Sequence, residues 1–182
     1  MALKSTIYKA RLGLADLDRS LYADHALTLA RHPSETEERL MMRLLAYALC
    51  VPADDARGAL TFAAGLSDTD APDLWQQDLT GALVQWIEVG LPDERRIAKV
   101  CARAEQVSVL AYGSTATAWW AQTGPKVARW ANLRVWQLNP EDSRALAAMA
   151  ARNMALQVTV QDGTVGVADD NHHLSFEPRR LR

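Results

Sequence analysis

The densest run of chemically capable side chains is Trp86-Ile87-Glu88-Val89-Gly90-Leu91-Pro92-Asp93-Glu94-Arg95-Arg96-Ile97-Ala98-Lys99. A carboxylate near the end of an apolar strand is costly unless it is paired, hydrogen-bonded or bound to a metal. Glu88 is in that position, and Gly90 follows where the backbone must turn. Arg95, Arg96 and Lys99 fall on the next helix. One chemistry this spacing supports is a divalent cation, Mg²⁺ or Mn²⁺, held by Glu88 while the basic side chains neutralise a phosphate. The other is an ion pair from Glu88 to Arg95 or Arg96 that fixes the helix. Asp73, after Pro72, offers a second carboxylate ligand, and Asp78 competes for the same role; both are also ordinary turn residues. Glu37 is a third carboxylate. Arg31 and His32 could contact phosphate or simply supply local polarity.

These residues need elements to place them. Alternation over Thr6 to Leu14 predicts a strand, and a second is expected over about His25 to Arg31. Ser34-Glu35-Thr36-Glu37 has the form of a capping box, with Ser34 and Glu37 satisfying each other's backbone N–H groups. The helix it opens is expected to reach about Cys50, with Leu40, Met41, Leu44, Leu45 and Ala48 on its apolar face and Pro52 beyond its end. Leu60 to Leu66 reads as a strand and Ser67 to Asp73 as a loop. Leu83 to Val89 is the strongest strand, placing Val84, Trp86 and Glu88 on one face. Pro92 is expected to open a helix carrying Ile97, Val100, Cys101 and Ala104 inward.

Val107 to Ala111 is a further apolar strand, followed by a helix with Trp119 and Trp120. A break is expected at Thr123-Gly124-Pro125. Leu133 to Leu138 is a strand, and Pro140 to about Asn153 a helix. Leu156 to Gln161 alternates, Asp162-Gly163 predicts a tight hairpin turn, and Thr164 to Val167 returns. His173 to Phe176 adds a last strand. The fold class is α/β, an α+β mixed sheet. It is partly parallel through the middle, with antiparallel strands added at both ends.

The 182 residues fit one domain over 1–182, and 49% hydrophobic content provides a core without disulfides. Cys50 and Cys101 sit in apolar stretches and read as buried thiols in a reducing compartment. A formal net charge of −2 gives no general attraction to nucleic acid or anionic membrane, though a local basic patch can supply one. No run approaches about 18 apolar residues, so neither a membrane span nor a signal peptide is expected, and a cytoplasmic address follows. Phosphate-binding glycine loops, dinucleotide fingerprints and nucleophile elbows are absent from the sequence.

Several segments are specific enough to carry a family resemblance. Met1 to Ala10, Leu29 to Glu37, Trp86 to Arg96, Asn132-Leu133 with Val135-Trp136, and Gln161-Asp162-Gly163 together resemble the bacterial YaeQ family over nearly the whole chain. The resemblance implies a restriction-endonuclease-like fold with a PD-(D/E)XK-type core. Pro72-Asp73 and Glu88 would then match the signature acids, and Glu37 the carboxylate of the preceding helix. The signature Lys position is Gly90, a departure that passes the basic role to Lys99, Arg95 or Arg96. Ala82 to Gln85 lack an acidic residue that relatives often carry before the Trp-Ile-Glu run. The implied activity is a Mg²⁺- or Mn²⁺-dependent nuclease or other phosphodiesterase. Asp73 and Glu88 would hold the metal, Lys99 or Arg96 would assist the attacking water, and Arg31, His32 and Arg103 would hold flanking phosphates. The competing expectation is a non-catalytic module on the same scaffold that binds nucleic acid or a protein. A homo-oligomer with a patch around Trp119 and Trp120 is a third.

Overall fold

The computed structural model describes residues 5–63 and 68–182. It shows a mixed α/β fold with two sheets. Eleven strands are described: β1 (Thr6–Asp16), β2 (Leu21–Arg31), β3 (Leu60–Phe62), β4 (Leu74–Gln77), β5 (Leu83–Val89), β6 (Gln106–Ala111), β7 (Leu133–Gln137), β8 (Asn153–Gln161), β9 (Thr164–Ala168), β10 (His173–Phe176) and β11 (Arg179–Arg180). Among the described residues there are four helices, α1 (Glu37–Cys50), α2 (Glu94–Cys101), α3 (Ala116–Val127) and α4 (Pro140–Ala147).

The antiparallel ends of the chain do not extend the central sheet. They make a sheet of their own, in the order β10-β9-β8-β1-β2, in which the first and eighth strands pair in parallel. The second sheet runs β11-β7-β6-β5-β4-β3. Its β5, β6 and β7 are parallel, joined by α2 and α3, while β3 and β4 are antiparallel additions. Strand β4 was not expected from the sequence. Its four residues, Leu-Trp-Gln-Gln, have too short a pattern to stand out against the Asp-rich loop before them. The strand expected over Leu60 to Leu66 is seen as Leu60–Phe62, and residues 64–67 lie outside the described residues, as do Met1 to Lys4 of the family-like opening.

Helix α1 lies between the sheets. Every residue from Leu40 to Ala48 is buried, Arg43 included, so it is not the one-faced helix that its spacing suggested. Burial on all sides is what a helix sandwiched between two layers requires. Its core partners include Leu12, Leu14, Leu156 and Val158 from one sheet and Ile87, Val89 and Leu110 from the other. Trp86, Val107, Val109 and Val135 pack on the opposite face of the second sheet with Ile97, Val100 and Val127. The period-two expectation for β5 holds: Ile87 and Val89 face α1, and Trp86 lies with α2.

Four local expectations are corrected. The cap of α1 is Thr36, whose hydroxyl accepts from the Arg39 N–H at 3.1 Å, and Ser34 instead pairs with His32 Nδ1. The Ser34–Glu37 box therefore does not form, because Glu35 turns inward and the helix starts later. Asp93 caps α2, accepting from the Arg96 N–H at 2.8 Å, which leaves Pro92 outside the helix. Helix α3 continues through Thr123, Gly124 and Pro125 to Val127, with the Trp120 ring close beside Gly124. Helix α4 ends at Ala147, well before Asn153, where the next strand begins. The Asp162-Gly163 turn is as expected, with φ values of 52° and 78°.

Candidate functional site

Strand pairing brings the two acids of the resemblance to neighbouring positions. Asp73 immediately precedes β4, and Leu74 lies opposite Ile87, so Asp73 comes beside the end of β5 where Glu88 sits. The Asp73 N–H donates to the Ile87 carbonyl at 3.1 Å, and Asp73 Oδ2 accepts from the Val89 N–H at 2.7 Å. The chain turns at Gly90, whose φ of 119° is a conformation that side-chain-bearing residues rarely adopt.

The two carboxylates are engaged by helices on opposite faces of the sheet. From α1, Arg39 Nη2 lies 2.7 Å from Asp73 Oδ1 and Arg43 Nε lies 3.9 Å from it. The first is a close ion pair rather than an aligned hydrogen bond, since Oδ1 has no hydrogen-bonding donor. Arg43 Nη1 reaches both oxygens of Glu35 at 3.1 Å, and Arg39 Nη1 reaches Glu35 at 3.2 Å. Glu35, Arg43 and Asp73 are 2–3% exposed, so this is a buried network of two acids and two bases. From α2, Arg96 Nε donates to Glu88 Oε1 at 2.7 Å. Trp86 Nε1 donates to the same oxygen at 2.6 Å. Arg96 also donates to the carbonyls of Thr69 and Ala71, tying down the loop before Asp73. Burial pushes the Glu88 carboxyl above the usual glutamate range, against the pull of Arg96 and Trp86. Burial likewise pushes the Tyr112 phenol, near Arg39, up to about 12.

The remaining candidates are placed elsewhere. Glu37 accepts from the Tyr8 hydroxyl at 3.1 Å and does not join Asp73. Arg31 donates to the Glu35 carbonyl and stacks over Tyr8, and His32 holds the turn through Ser34. Lys99 reaches Asp70 at 3.0 Å, and Arg95 is exposed on α2. Asp78 is spent inside the hairpin turn, accepting from Thr80 and Ala82. Glu35, Arg39 and Arg43 were not singled out from sequence. Their spacing of four was visible, and Arg43 lies within an apolar stripe, the mark of a buried charge with a partner elsewhere.

The two acids are not free for a divalent cation as they stand. Such an ion can be held by one or two carboxylates with water completing its shell, but the carboxylates must first be released from other cations. Asp73 and Glu88 each already hold an arginine at contact distance, and no group of three metal-capable side chains gathers among the described residues. The geometry offers two neutralised carboxylates beside a basic helix.

The family question is decided by comparison with known proteins. A model of the YaeQ protein family matches residues 1–178. The chain belongs to the YaeQ family. The YaeQ protein of Escherichia coli (strain K12) is 47% identical over 175 residues, covering 96% of this chain and 94% of its own. That of Salmonella typhi is 48% identical over 178 residues, covering 97% and 96%. The crystal structure of the YaeQ protein from Xanthomonas axonopodis pv. citri superposes with a TM-score of 0.92 at 44% identity, covering 98% of each chain. The one from Pseudomonas syringae gives 0.90 at 39% identity, covering 98% of this chain and 96% of its own. The YaeQ resemblance read from Trp86 to Arg96 and from Leu29 to Glu37 is thus a family relationship.

Proposed function

We propose that this chain is a non-catalytic module that binds nucleic acid on a nuclease-like scaffold. The observation that carries the proposal is the arginine neutralisation of both signature carboxylates, Arg39 on Asp73 and Arg96 on Glu88. A metal would have to displace the buried Arg39 contact at Asp73, and at Glu88 it would meet the opposing charge of Arg96, which together with Trp86 holds Oε1. A hydrolytic, Mg²⁺- or Mn²⁺-dependent reading has less support for that reason.

The scaffold part of the proposal rests on element order. Helix α1, antiparallel β3 to β5, helix α2 and parallel β6 follow one another, with Asp73 and Glu88 at adjacent strand positions. That succession supports a restriction-endonuclease-like, PD-(D/E)XK-type core. The ligand part rests on the outer side of α2. Arg95, Lys99 and, just beyond the helix, Arg103 recur every four residues and all are exposed. The Lys99–Asp70 pair is largely exposed, so little is lost when a phosphate takes the place of Asp70.

Fluorescence anisotropy with labelled single- and double-stranded oligonucleotides tests the proposal. Binding is expected to weaken with salt, and Arg95→Gln/Lys99→Gln/Arg103→Gln is expected to lower the salt slope by about 3. The bound strand should remain intact with Mg²⁺ or Mn²⁺ present. Absence of oligonucleotide binding, or metal-dependent cleavage lost in Glu88→Gln, would overturn it.

A further inference from the structure

At the end of the first sheet where β1 begins, two arginines share one tyrosine ring. Tyr8 is 3% exposed, and its hydroxyl donates to Glu37 Oε1 at 3.1 Å. The Arg31 guanidinium, from the end of β2, lies 5.8 Å from the ring centroid. That of Arg152, just before β8, lies 5.5 Å from it. Each cation is attracted to the negative face of the phenol. The backbone brings them there: Arg31 pairs with Thr6 across β1 and β2, and the Arg152 carbonyl accepts from the Lys9 N–H at 2.8 Å.

Neither arginine has a carboxylate within ion-pair distance among the described residues. Arg31 gives Nη1 to the Glu35 carbonyl, and its Nε is buried without an acceptor. The neighbouring acids are committed elsewhere. Glu35 is held by Arg39 and Arg43, and Glu38 accepts from the Ser143 hydroxyl. Glu37 bears on the Tyr8 hydroxyl together with Arg31 and Arg152, so one carboxylate there meets two guanidinium groups. Lys9 and Arg11 follow on the solvent-facing side of β1, both exposed and also without a carboxylate partner among the described residues. Asp24, beside Gly13, is the acid on that face. Four cations thus stand against two acids.

We propose that Arg31 and Arg152 form a clamp for a phosphate group. A guanidinium that rests on a ring keeps its N–H edge free, and that planar fork matches phosphate oxygens. Two forks held by one buried ring are ordered before the ligand arrives, which lowers the cost of binding. The charge in excess at Tyr8 is positive, the sign that a phosphate compensates. Its source is either a free phosphate-bearing small molecule or the backbone of a nucleic acid. The clamp does not depend on the Arg95–Arg103 stripe, because α2 packs on the far side of the second sheet.

The test is NMR titration of inorganic phosphate, read on arginine Nε–Hε signals of wild type and Arg152→Gln, with sodium chloride titrated separately. Arg152 is exposed, so the variant keeps the fold. Phosphate should shift the Arg31 and Arg152 signals saturably in wild type. It should bind Arg152→Gln about tenfold more weakly, and Arg95→Gln/Lys99→Gln/Arg103→Gln as tightly as wild type. No saturable shift at these two arginines, equal affinity in wild type and Arg152→Gln, or the same shifts with chloride would overturn the proposal. Oligonucleotide binding distinguishes the sources once phosphate binding is seen. A salt slope lowered by about 1 in Arg152→Gln assigns the clamp to a nucleic-acid backbone, and an unchanged slope or no oligonucleotide binding assigns it to a free phosphate compound. The last result would overturn the nucleic-acid reading and leave the clamp standing.

Discussion

Arg39 Nη2 lies 2.7 Å from Asp73 Oδ1, a guanidinium on the acid that a nuclease resemblance would give to a metal. Arg43 stands behind it, and Glu35 balances the second charge. The relation makes the acidic position a structural joint between α1 and the start of β4. Both sides of such a joint are costly to bury alone, so neither can be lost cheaply.

Arg43→Ala is therefore expected to be strongly destabilising, by about 3–5 kcal/mol, because it strands Glu35 and leaves Asp73 with one cation. Adding Glu35→Gln to an Arg43→Met variant should recover part of that loss. Urea unfolding midpoints of the single and double variants check this. A loss typical of a surface charge, under about 0.5 kcal/mol, would mean the network is not held as described.

Glu88 gives a pH signature. Burial raises its carboxyl above the ordinary glutamate value, opposed by hydrogen bonds from Arg96 and Trp86. The folded protein thus binds that proton more tightly than the unfolded chain. The stability linked to it is fully present below the unfolded value and is lost as pH rises through the raised folded value. Arg96→Met removes the opposing cation and moves the folded value higher still. The urea-midpoint gap between wild type and Arg96→Met should widen as pH climbs from the ordinary glutamate range toward neutrality. A gap that stays constant with pH would contradict the coupling.

If the chain is aligned with the nuclease signature, Gly90 stands at the position of its Lys. Its φ of 119° leaves open space for a side chain but strains any residue that carries one. Gly90→Lys should cost about 1–3 kcal/mol and should not create metal-dependent cleavage. Thermal unfolding and an oligonucleotide cleavage assay read the two parts separately.

Much of the frame was legible in the sequence because it was written in periodicity. Leu83 to Val89 and Leu156 to Gln161 alternate cleanly, and Asp162-Gly163 can turn in only a few ways. What periodicity does not encode is which sheet a strand joins. The first strand pairs in parallel with one that begins at Asn153, and no local pattern foretells that. Glu88, Arg96 and Asp73 were singled out from residue type and turn position as metal ligands and a phosphate contact, and in the structure each of the two acids carries an arginine. Glu35 and Arg39 were missed because the apparent Ser34–Glu37 box already explained the acids around them. The cap proved to be Thr36, which freed Glu35 to turn inward. Pro125 misled too: it ordinarily ends a helix, yet it lies inside α3, where the Trp120 ring sits close to Gly124.

The most direct test of the central claim is isothermal titration of Mg²⁺ and Mn²⁺ into the full chain, alongside Glu88→Gln. Arginine-neutralised carboxylates predict no saturable heat in either protein at millimolar metal, with both remaining folded. Stoichiometric binding to wild type that disappears in Glu88→Gln would contradict the account and restore a metal centre at Asp73 and Glu88.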